Sequence, residues 1–223
     1  LYGIFEGKQS IVKNDNCILV EGYTDVIKMH QSGITNVVSS SGTALTENQI
    51  RLISRLTKNI TVLFDGDAAG SRAALRGIDL ILAQDMNVQI CNLPNGEDPD
   101  SFVSDKQLED IQDFFNSNSK DFIVYKASLL LKDSENDPVK KASVIRDIVE
   151  SISKVSDFIK RELYIKECSK IMNISEQVIY STLAQINKQN LRNLSKKKPV
   201  LNEPISLIKS EKKKRSVNEL YAL

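Results

Sequence analysis

The first half of the chain alternates short apolar runs with segments of helical spacing. Four runs read as strands: CILVE (17–21), ITNVVSSSG (34–42), NITVLFD (59–65) and MNVQICNLP (86–94). Three segments between them read as helices: YTDVIKMHQSG (23–33), TENQIRLISRL (46–56) and AAGSRAALRGIDLILAQD (68–85). The strand runs are continuously apolar, which is typical of parallel strands covered on both faces. The pattern predicts an α/β fold whose four-stranded, mostly parallel sheet is flanked by helices.

The second half of the chain, from residue 105 to about 190, shows little strand signal and predicts an all-α subdomain. Asn136 to Pro138 interrupts the helical pattern, and Pro138 suits the start of a new helix. MNISEQVIYSTLAQINK (172–188), with Ser175 as a cap, resembles a short helix-turn-helix. Two interpretations stay open for it: a DNA-reading unit, or packed helices of a structural subdomain.

The charge of the chain is unevenly distributed. The net charge is +1, but residues 191–223 carry nine Lys and Arg against three Asp and Glu, so residues 1–190 total −5. Residues 191–223 also contain two prolines and few apolar residues, and they are predicted to be a flexible basic linker. Nucleic acid would have to be bound by local patches, because the bulk charge of the chain is close to zero.

Composition and cysteine spacing narrow the function classes. The chain of 223 residues is 41% hydrophobic and 26% charged, and it contains no apolar run of membrane-spanning length and no signal-peptide pattern. We therefore expect a cytoplasmic protein without membrane contact. Cys17, Cys91 and Cys168 form no C-x-x-C pair, so we expect buried reduced thiols and no zinc site in this chain. The single histidine, His30, is expected at the surface or as a helix cap.

Acidic residues follow three of the predicted strands. Glu21 closes the first strand, the third runs into D-G-D, and the fourth is followed by E-D-P-D; the acids concerned are Glu21, Asp65, Asp67, Asp98 and Asp100. Carboxyl ends of parallel strands meet at one edge of the sheet, and clustered carboxylates repel unless a cation lies between them. The sequence therefore predicts a Mg²⁺ or Mn²⁺ site. Taken singly, each cluster is also compatible with a turn or a helix cap.

The loop after the second strand supplies a further candidate. The backbone amides of Gly42 and Thr43, in SSSGTAL, are placed either to contact substrate in the same cleft or simply to form a turn. The sequence contains no G-x-x-x-x-G-K-[ST] loop, and no G-x-G-x-x-G follows the first strand. Phosphate would therefore be held mainly by metal, by Lys or Arg, and by helix N-termini.

Four of these motifs resemble a known family. VEGYTDVI, SSGTALTENQI, LFDGDAAG and LPNGEDPD are similar to the TOPRIM domain of bacterial DnaG-type primases. The resemblance implies four regions: residues 1–16 as the end of a preceding core subdomain, 17–104 as the TOPRIM domain, 105–190 as a helical subdomain, and 191–223 as a linker toward a helicase-binding domain that this chain lacks.

The resemblance also implies residue roles and partners. Glu21, Asp65 and Asp67 would be the catalytic metal-coordinating acids, completed by Asp98, Asp100 and Asp25. Asp25 lies one helical turn after Glu21, so it either faces the same cleft or fixes the first helix. The reaction implied is metal-dependent synthesis of RNA primers from ribonucleoside triphosphates on a single-stranded DNA template. The implied partner is the replicative helicase.

Two other function classes remain open at this stage. The first is another metal-dependent phosphotransfer enzyme, such as a TOPRIM nuclease that uses the same acids to cleave a phosphodiester. A D-x-D phosphatase is less compatible, since Ala69 stands where such enzymes usually carry a threonine. The second class is a non-catalytic DNA-binding module. Clustered repulsive carboxylates count against it, because a scaffold gains nothing from them.

Overall fold

A computed structural model describes residues 1–42, 45–64, 77–94, 96–132 and 137–196. The strands are β1 (Cys17–Val20), β2 (Val37–Ser39), β3 (Asn59–Phe64), β4 (Asn87–Asn92) and β5 (Lys120–Asp121). The helices are α1 (Ile4–Asn14), α2 (Tyr23–Gln31), α3 (Glu47–Ser54), α4 (described over residues 77–82), α5 (Pro99–Ser104), α6 (Leu108–Asn118), α7 (Phe122–Lys132), α8 (Pro138–Lys154), α9 (Phe158–Met172) and α10 (Glu176–Lys196).

The strands form one mixed sheet in the order β2-β1-β3-β4-β5. The first four strands are parallel to one another, which confirms the predicted mostly parallel sheet. β5 pairs antiparallel with β4 and was not predicted from the sequence. A two-residue strand leaves no alternation of apolar and polar positions to recognise, so pattern analysis could not have found it.

Both faces of the sheet are covered, as the continuous apolar runs predicted. Cys17 and Leu19 face one buried cluster, and Ile18 and Val20 face the other. Side chains of α2, α5 and α6 fill the second cluster, whereas α3, α4 and α7 to α10 contribute to the first. Successive residues of a strand point to opposite faces, so burial of every residue in β1 requires helices on both sides.

The predicted starts of two helices are confirmed. Thr46 caps α3, because its hydroxyl accepts a hydrogen bond from the Gln49 backbone amide at 3.3 Å. Pro138 is the first residue of α8, and the Asp137 side chain caps that helix. α10 begins directly after Ser175, and Ile179 and Leu183 on it are buried, which favours packed helices over an exposed DNA-reading unit.

Residues Leu1–Lys188 form one compact unit and Gln189–Leu223 a second. α10 continues to Lys196, so it includes the first six residues of the predicted basic linker. The segment LRNLSK consists largely of good helix formers, which explains why helix persists there. The rest of the predicted linker, 197–223, lies outside the described residues.

The first residues of the chain are attached to the edge strand of the sheet. Tyr2 and Ser39 form an isolated antiparallel bridge, and α1 follows from Ile4. Gly3 is required at this point: its φ is +80°, and a Cβ would lie 2.9 Å from the Val37 carbonyl oxygen. α1 was not predicted from the sequence.

The cysteines are buried as expected, whereas the histidine is neither fully exposed nor the cap of its helix, which is Ser32. Cys17, Cys91 and Cys168 are free and buried, and burial raises the pKa of the Cys17 thiol to about 12. His30 lies in the last turn of α2, partly buried, and its Nε2 has no hydrogen-bond partner. Among the described residues, no helix combines the length and apolarity needed to cross a lipid bilayer.

A buried polar chain connects α4 to α7 and α8. The Lys126 ammonium, 8% exposed, donates a hydrogen bond to Ser151 Oγ at 2.6 Å. The Ser151 hydroxyl, fully buried, donates in turn to Asp79 Oδ1 at 2.7 Å. Because a buried charge without a partner is costly, this chain fixes the helix that follows the D-G-D sequence against the helical region.

We predict that Ser151→Ala lowers the free energy of unfolding by about 1–3 kcal/mol, because it removes the hydroxyl that joins Lys126 to Asp79. Urea denaturation of the 223-residue chain measures this. Ser153→Ala is the matched control, since the Ser153 hydroxyl is exposed and bonds only the Glu150 carbonyl in its own helix. Equal stability losses in the two variants would contradict the predicted role of Ser151.

Candidate metal-binding edge of the sheet

The carboxyl ends of β1, β3 and β4 reach the same edge of the sheet. Leu19 pairs with Val62, and Val62 pairs with Ile90, so the register carried forward two residues sets Glu21 level with Phe64. Neighbouring strands lie about 4.8 Å apart. Glu21 is exposed at this edge, and Asp65, which follows Phe64 in the chain, lies with Asp67 outside the described residues.

Asp25 fixes the start of α2. Its Oδ2 accepts a hydrogen bond from the Gly22 backbone amide at 2.9 Å, three residues upstream. The side chain therefore satisfies one of the amides that a helix start leaves without a partner. The sequence left open whether Asp25 caps the helix or faces the cleft. The structure shows the capping role. The negative charges of Asp98 and Asp100, at the start of α5, also affect the pKa of Asp25.

Asp98 fixes the start of α5. Its Oδ1 accepts a hydrogen bond from the Ser101 backbone amide at 2.8 Å, and the Ser101 hydroxyl accepts one from the Asp98 amide at 3.0 Å. The hydrogen bond from the Ser101 amide lowers the pKa of Asp98, so this carboxylate stays ionised. The sequence left a turn or a helix cap open for the E-D-P-D acids; Asp98 holds the cap position and Asp100 lies in the first turn.

Asp100 pairs with a cation that sequence reasoning missed. Lys28 Nζ lies 3.5 Å from Asp100 Oδ1, and the Lys28 and Asp100 side chains are 35% and 52% exposed. Lys28 follows Asp25 by three residues in α2, so the two side chains lie on the same side of the helix. That spacing was the available signal, but the sequence alone did not show that α2 packs against α5.

Asp98 and Asp100 at the start of α5 affect the pKa of Asp25 in α2. The pKa of Asp25 is raised, first by partial burial and then by the negative charges of Asp98 and Asp100, while the Gly22 hydrogen bond opposes the shift. Ser32 Oγ, just past the end of α2, contacts the Val103 carbonyl oxygen of α5 at 3.4 Å. The helix that follows β1 and the helix that follows β4 therefore pack together, and the charges of Asp98 and Asp100 act on Asp25 although they are far from it in sequence.

Gly42 has a φ of +76° and is exposed, and a Cβ there would meet nothing within 4 Å. A positive φ is the conformation that a glycine provides in a turn, so the described geometry accounts for Gly42 without a ligand. Thr43 lies outside the described residues.

The donor chemistry at this edge suits a hard divalent cation. Within the described ranges, no group of three or more His, Cys, Asp or Glu side chains is arranged to hold a metal ion. Two of the predicted ligands, Asp65 and Asp67, lie outside those ranges. The carboxylates that are described, including Asp98 and Asp100 beside Asp25, are oxygen donors of the kind that Mg²⁺ and Mn²⁺ prefer.

Comparison with protein-family models gives two matches. A Toprim-like family model matches residues 18–103, which include Glu21, Asp25, Asp98 and Asp100. A second model, described as the DnaB-helicase binding domain of primase, matches residues 136–177. The second match covers α8 and α9, which the sequence assigned to the helical subdomain.

Curated relatives and solved structures agree with these matches. The DNA primase of Clostridium acetobutylicum is 36% identical over 202 residues, which cover 88% of this chain and 33% of the relative. A DNA primase domain from Pseudomonas aeruginosa superposes with a TM-score of 0.72 at 30% identity, covering 82% of this chain and 59% of that one. A DnaG primase catalytic domain bound to single-stranded DNA gives a TM-score of 0.67 at 28% identity, covering 76% and 56%. The chain thus spans about a third of the curated relative's length.

We predict a specific pH dependence for Asp25→Asn. Because the folded-state pKa of Asp25 is raised, the folded chain binds its proton more tightly than the unfolded chain, and stability falls as pH rises through that window. The asparagine keeps an oxygen acceptor for the Gly22 amide but carries no charge. Its stability relative to the native chain should therefore increase between pH 3 and pH 7, as measured by urea denaturation without metal. Parallel pH profiles for the two proteins would contradict the raised pKa of Asp25.

Proposed function

Since this chain belongs to the bacterial DnaG-type primase family, we propose that it forms the metal-binding core of a DNA-templated RNA primase. The whole protein would synthesise short RNA primers for DNA replication by nucleotidyl transfer. The observation that supports the proposal is the contact between α2, which follows β1, and α5, which follows β4: Lys28 pairs with Asp100, Asp25 caps α2 and Asp98 caps α5. Clustered carboxylates destabilise a fold without cations, so their retention at one edge favours a cation-dependent activity over a scaffold.

We infer the following division of roles among the acids. Glu21, Asp65 and Asp67 are the catalytic oxygen donors, at the ends of adjacent parallel strands. Asp98 and Asp100 complete the donor set from α5, where the capping hydrogen bond to Ser101 fixes the orientation of Asp98. These carboxylates act as ligands, and the reaction includes no covalent protein intermediate.

The cofactor proposed is Mg²⁺, with Mn²⁺ as a substitute. When bound, it would neutralise charge on the phosphate oxygens of an incoming nucleoside triphosphate. The chain's own contribution is to hold the carboxylates close together and at fixed orientation, through the Asp25 cap of α2 and the Asp98 cap of α5. Selection of the nucleotide is left to base pairing with the template. Backbone contact of Gly42 and Thr43 with substrate belongs to the same proposal.

The partners proposed are single-stranded DNA, ribonucleoside triphosphates and the replicative helicase. A similar primase catalytic domain is bound to single-stranded DNA in its solved structure, which supports the template. The family model over residues 136–177, named for binding of the DnaB helicase, supports the helicase. The sequence instead predicted a helicase contact beyond residue 223, and we keep that as the alternative contact region.

The decisive test uses the full-length protein of which this chain is a segment. We predict that Asp65→Ala and Asp67→Ala each abolish oligoribonucleotide synthesis on a single-stranded template, because a ligand with no substitute is lost. Folding should be intact, and stability without metal should be unchanged or higher as repulsion is relieved. The matched control is Asp113→Ala, which removes an exposed aspartate from α6 and should leave synthesis unchanged.

Three results would contradict the proposed function. Native activity in either aspartate variant would exclude these residues as ligands. Cleavage of the template without synthesis by the native protein would indicate a nuclease. Failure of the native protein to bind Mn²⁺ at micromolar to millimolar concentration would favour a non-catalytic DNA-binding module.

A further inference from the structure

We propose that Lys28 is a built-in counter-ion that competes with the divalent cation for Asp100, and so sets the metal concentration at which the site fills. The proposal rests on the metal site proposed above and assigns a role to a residue outside the carboxylate set. The two cations compete because one Asp100 oxygen cannot pair with the Lys28 ammonium group and coordinate a metal ion at the same time.

Lys28 lies in the same helix as Asp25 and contacts Asp100 of the neighbouring helix. Its side chain leaves α2 on the side of Asp25, three residues upstream, and its Nζ lies 3.5 Å from Asp100 Oδ1 on α5. The other nearby lysine, Lys106, is engaged elsewhere: its Nζ lies 3.3 Å from Glu97 Oε2 and 2.9 Å from the Phe102 carbonyl oxygen. Among the residues that the structure describes, Lys28 is the cation that pairs with Asp100.

The electrostatics make this pair easy to displace. Both side chains are substantially exposed, at 35% and 52%, and exposed ion pairs contribute roughly 0–1 kcal/mol. A divalent cation carries twice the charge and gathers several carboxylates instead of one, so it outcompetes the ammonium. Lys28 nevertheless weakens metal binding in two ways. The ion pair with Asp100 must first be broken, and the positive charge of Lys28 then repels the incoming cation.

A purely structural role is the competing explanation. In that case the ion pair would join α2 to α5, and its loss would lower stability without improving metal binding. The two explanations predict opposite changes in metal affinity. They also respond differently to arginine, which keeps the positive charge and the ability to pair with a carboxylate.

The test measures Mn²⁺ binding to the 223-residue chain by isothermal titration calorimetry at low salt. Lys28→Met, which removes the charge but keeps an unbranched side chain, should tighten Mn²⁺ binding about three- to tenfold. Lys28→Arg should stay within about twofold of the native chain. The increase in Mn²⁺ affinity caused by Lys28→Met should become smaller as the salt concentration rises to about 0.15 M and beyond, because salt screens the repulsion between Lys28 and the metal ion.

Two controls isolate the effect. Lys154→Met removes the same charge from an exposed pair of similar geometry on α8, where Lys154 Nζ lies 3.6 Å from Glu150 Oε1, and should leave affinity unchanged. In an Asp100→Asn background, the gain from Lys28→Met should fall below about twofold, because no carboxylate remains to be released. The urea concentration at the midpoint of unfolding should be the same for Lys28→Met as for the native chain, because the pair is exposed.

The outcomes separate this inference from the proposed function. If the native chain binds Mn²⁺ and the two variants Lys28→Met and Lys154→Met bind it with equal affinity, the proposed role of Lys28 is wrong. The proposed metal site is not affected by that result. Weaker binding in Lys28→Met also overturns the proposed role of Lys28 and indicates the structural role. Absence of Mn²⁺ binding in the native chain overturns the metal site and the counter-ion together.

Discussion

The parallel register of β1, β3 and β4 is the constraint on which the rest of the structure depends. It brings the ends of strands that are far apart in sequence to one edge, with Glu21 level with Phe64. Partial burial first, and then the negative charges of Asp98 and Asp100, raise the pKa of Asp25. The fold thus holds a repulsive arrangement that a compensating cation would relieve, and the buried clusters on both faces of the sheet keep it in place.

Much of the fold could be predicted from the sequence because its main elements have strong periodicity. The four parallel strands, the Thr46 cap of α3 and the Pro138 start of α8 were all read from local patterns. The features that the sequence did not predict have local explanations. β5 is two residues long, and helix α10 persists to Lys196 because basic residues are good helix formers as well as linker residues. Strand order and the packing of α6 on the sheet depend on contacts distant in sequence, which periodicity does not encode.

The sequence indicated candidate residues for the site but not the pairings of their side chains. The order of strands and acids predicted that Asp98 and Asp100 would approach the end of β1, and for Glu21 this stays a prediction; the contact that the structure describes is between Lys28 of α2 and Asp100 of α5. The sequence did not distinguish which acid caps α5, since both lie beside Pro99. Lys28 was missed because its pairing with Asp100 exists only after α2 and α5 pack together. The ion-pair partner of a side chain depends on tertiary packing, even where the sequence clearly predicts the helix that carries the side chain.

The central claim is that carboxylates from successive strand ends hold one divalent cation. The most direct measurement is the crystal structure of this chain soaked with Mn²⁺ and a nucleoside triphosphate, with the ion located by anomalous scattering. We predict a manganese ion about 2.0–2.6 Å from carboxylate oxygens of Glu21 and at least one of Asp65 and Asp67. A structure in which Glu21 lies beyond reach of the D-G-D aspartates, with no ion shared between them, would contradict the account.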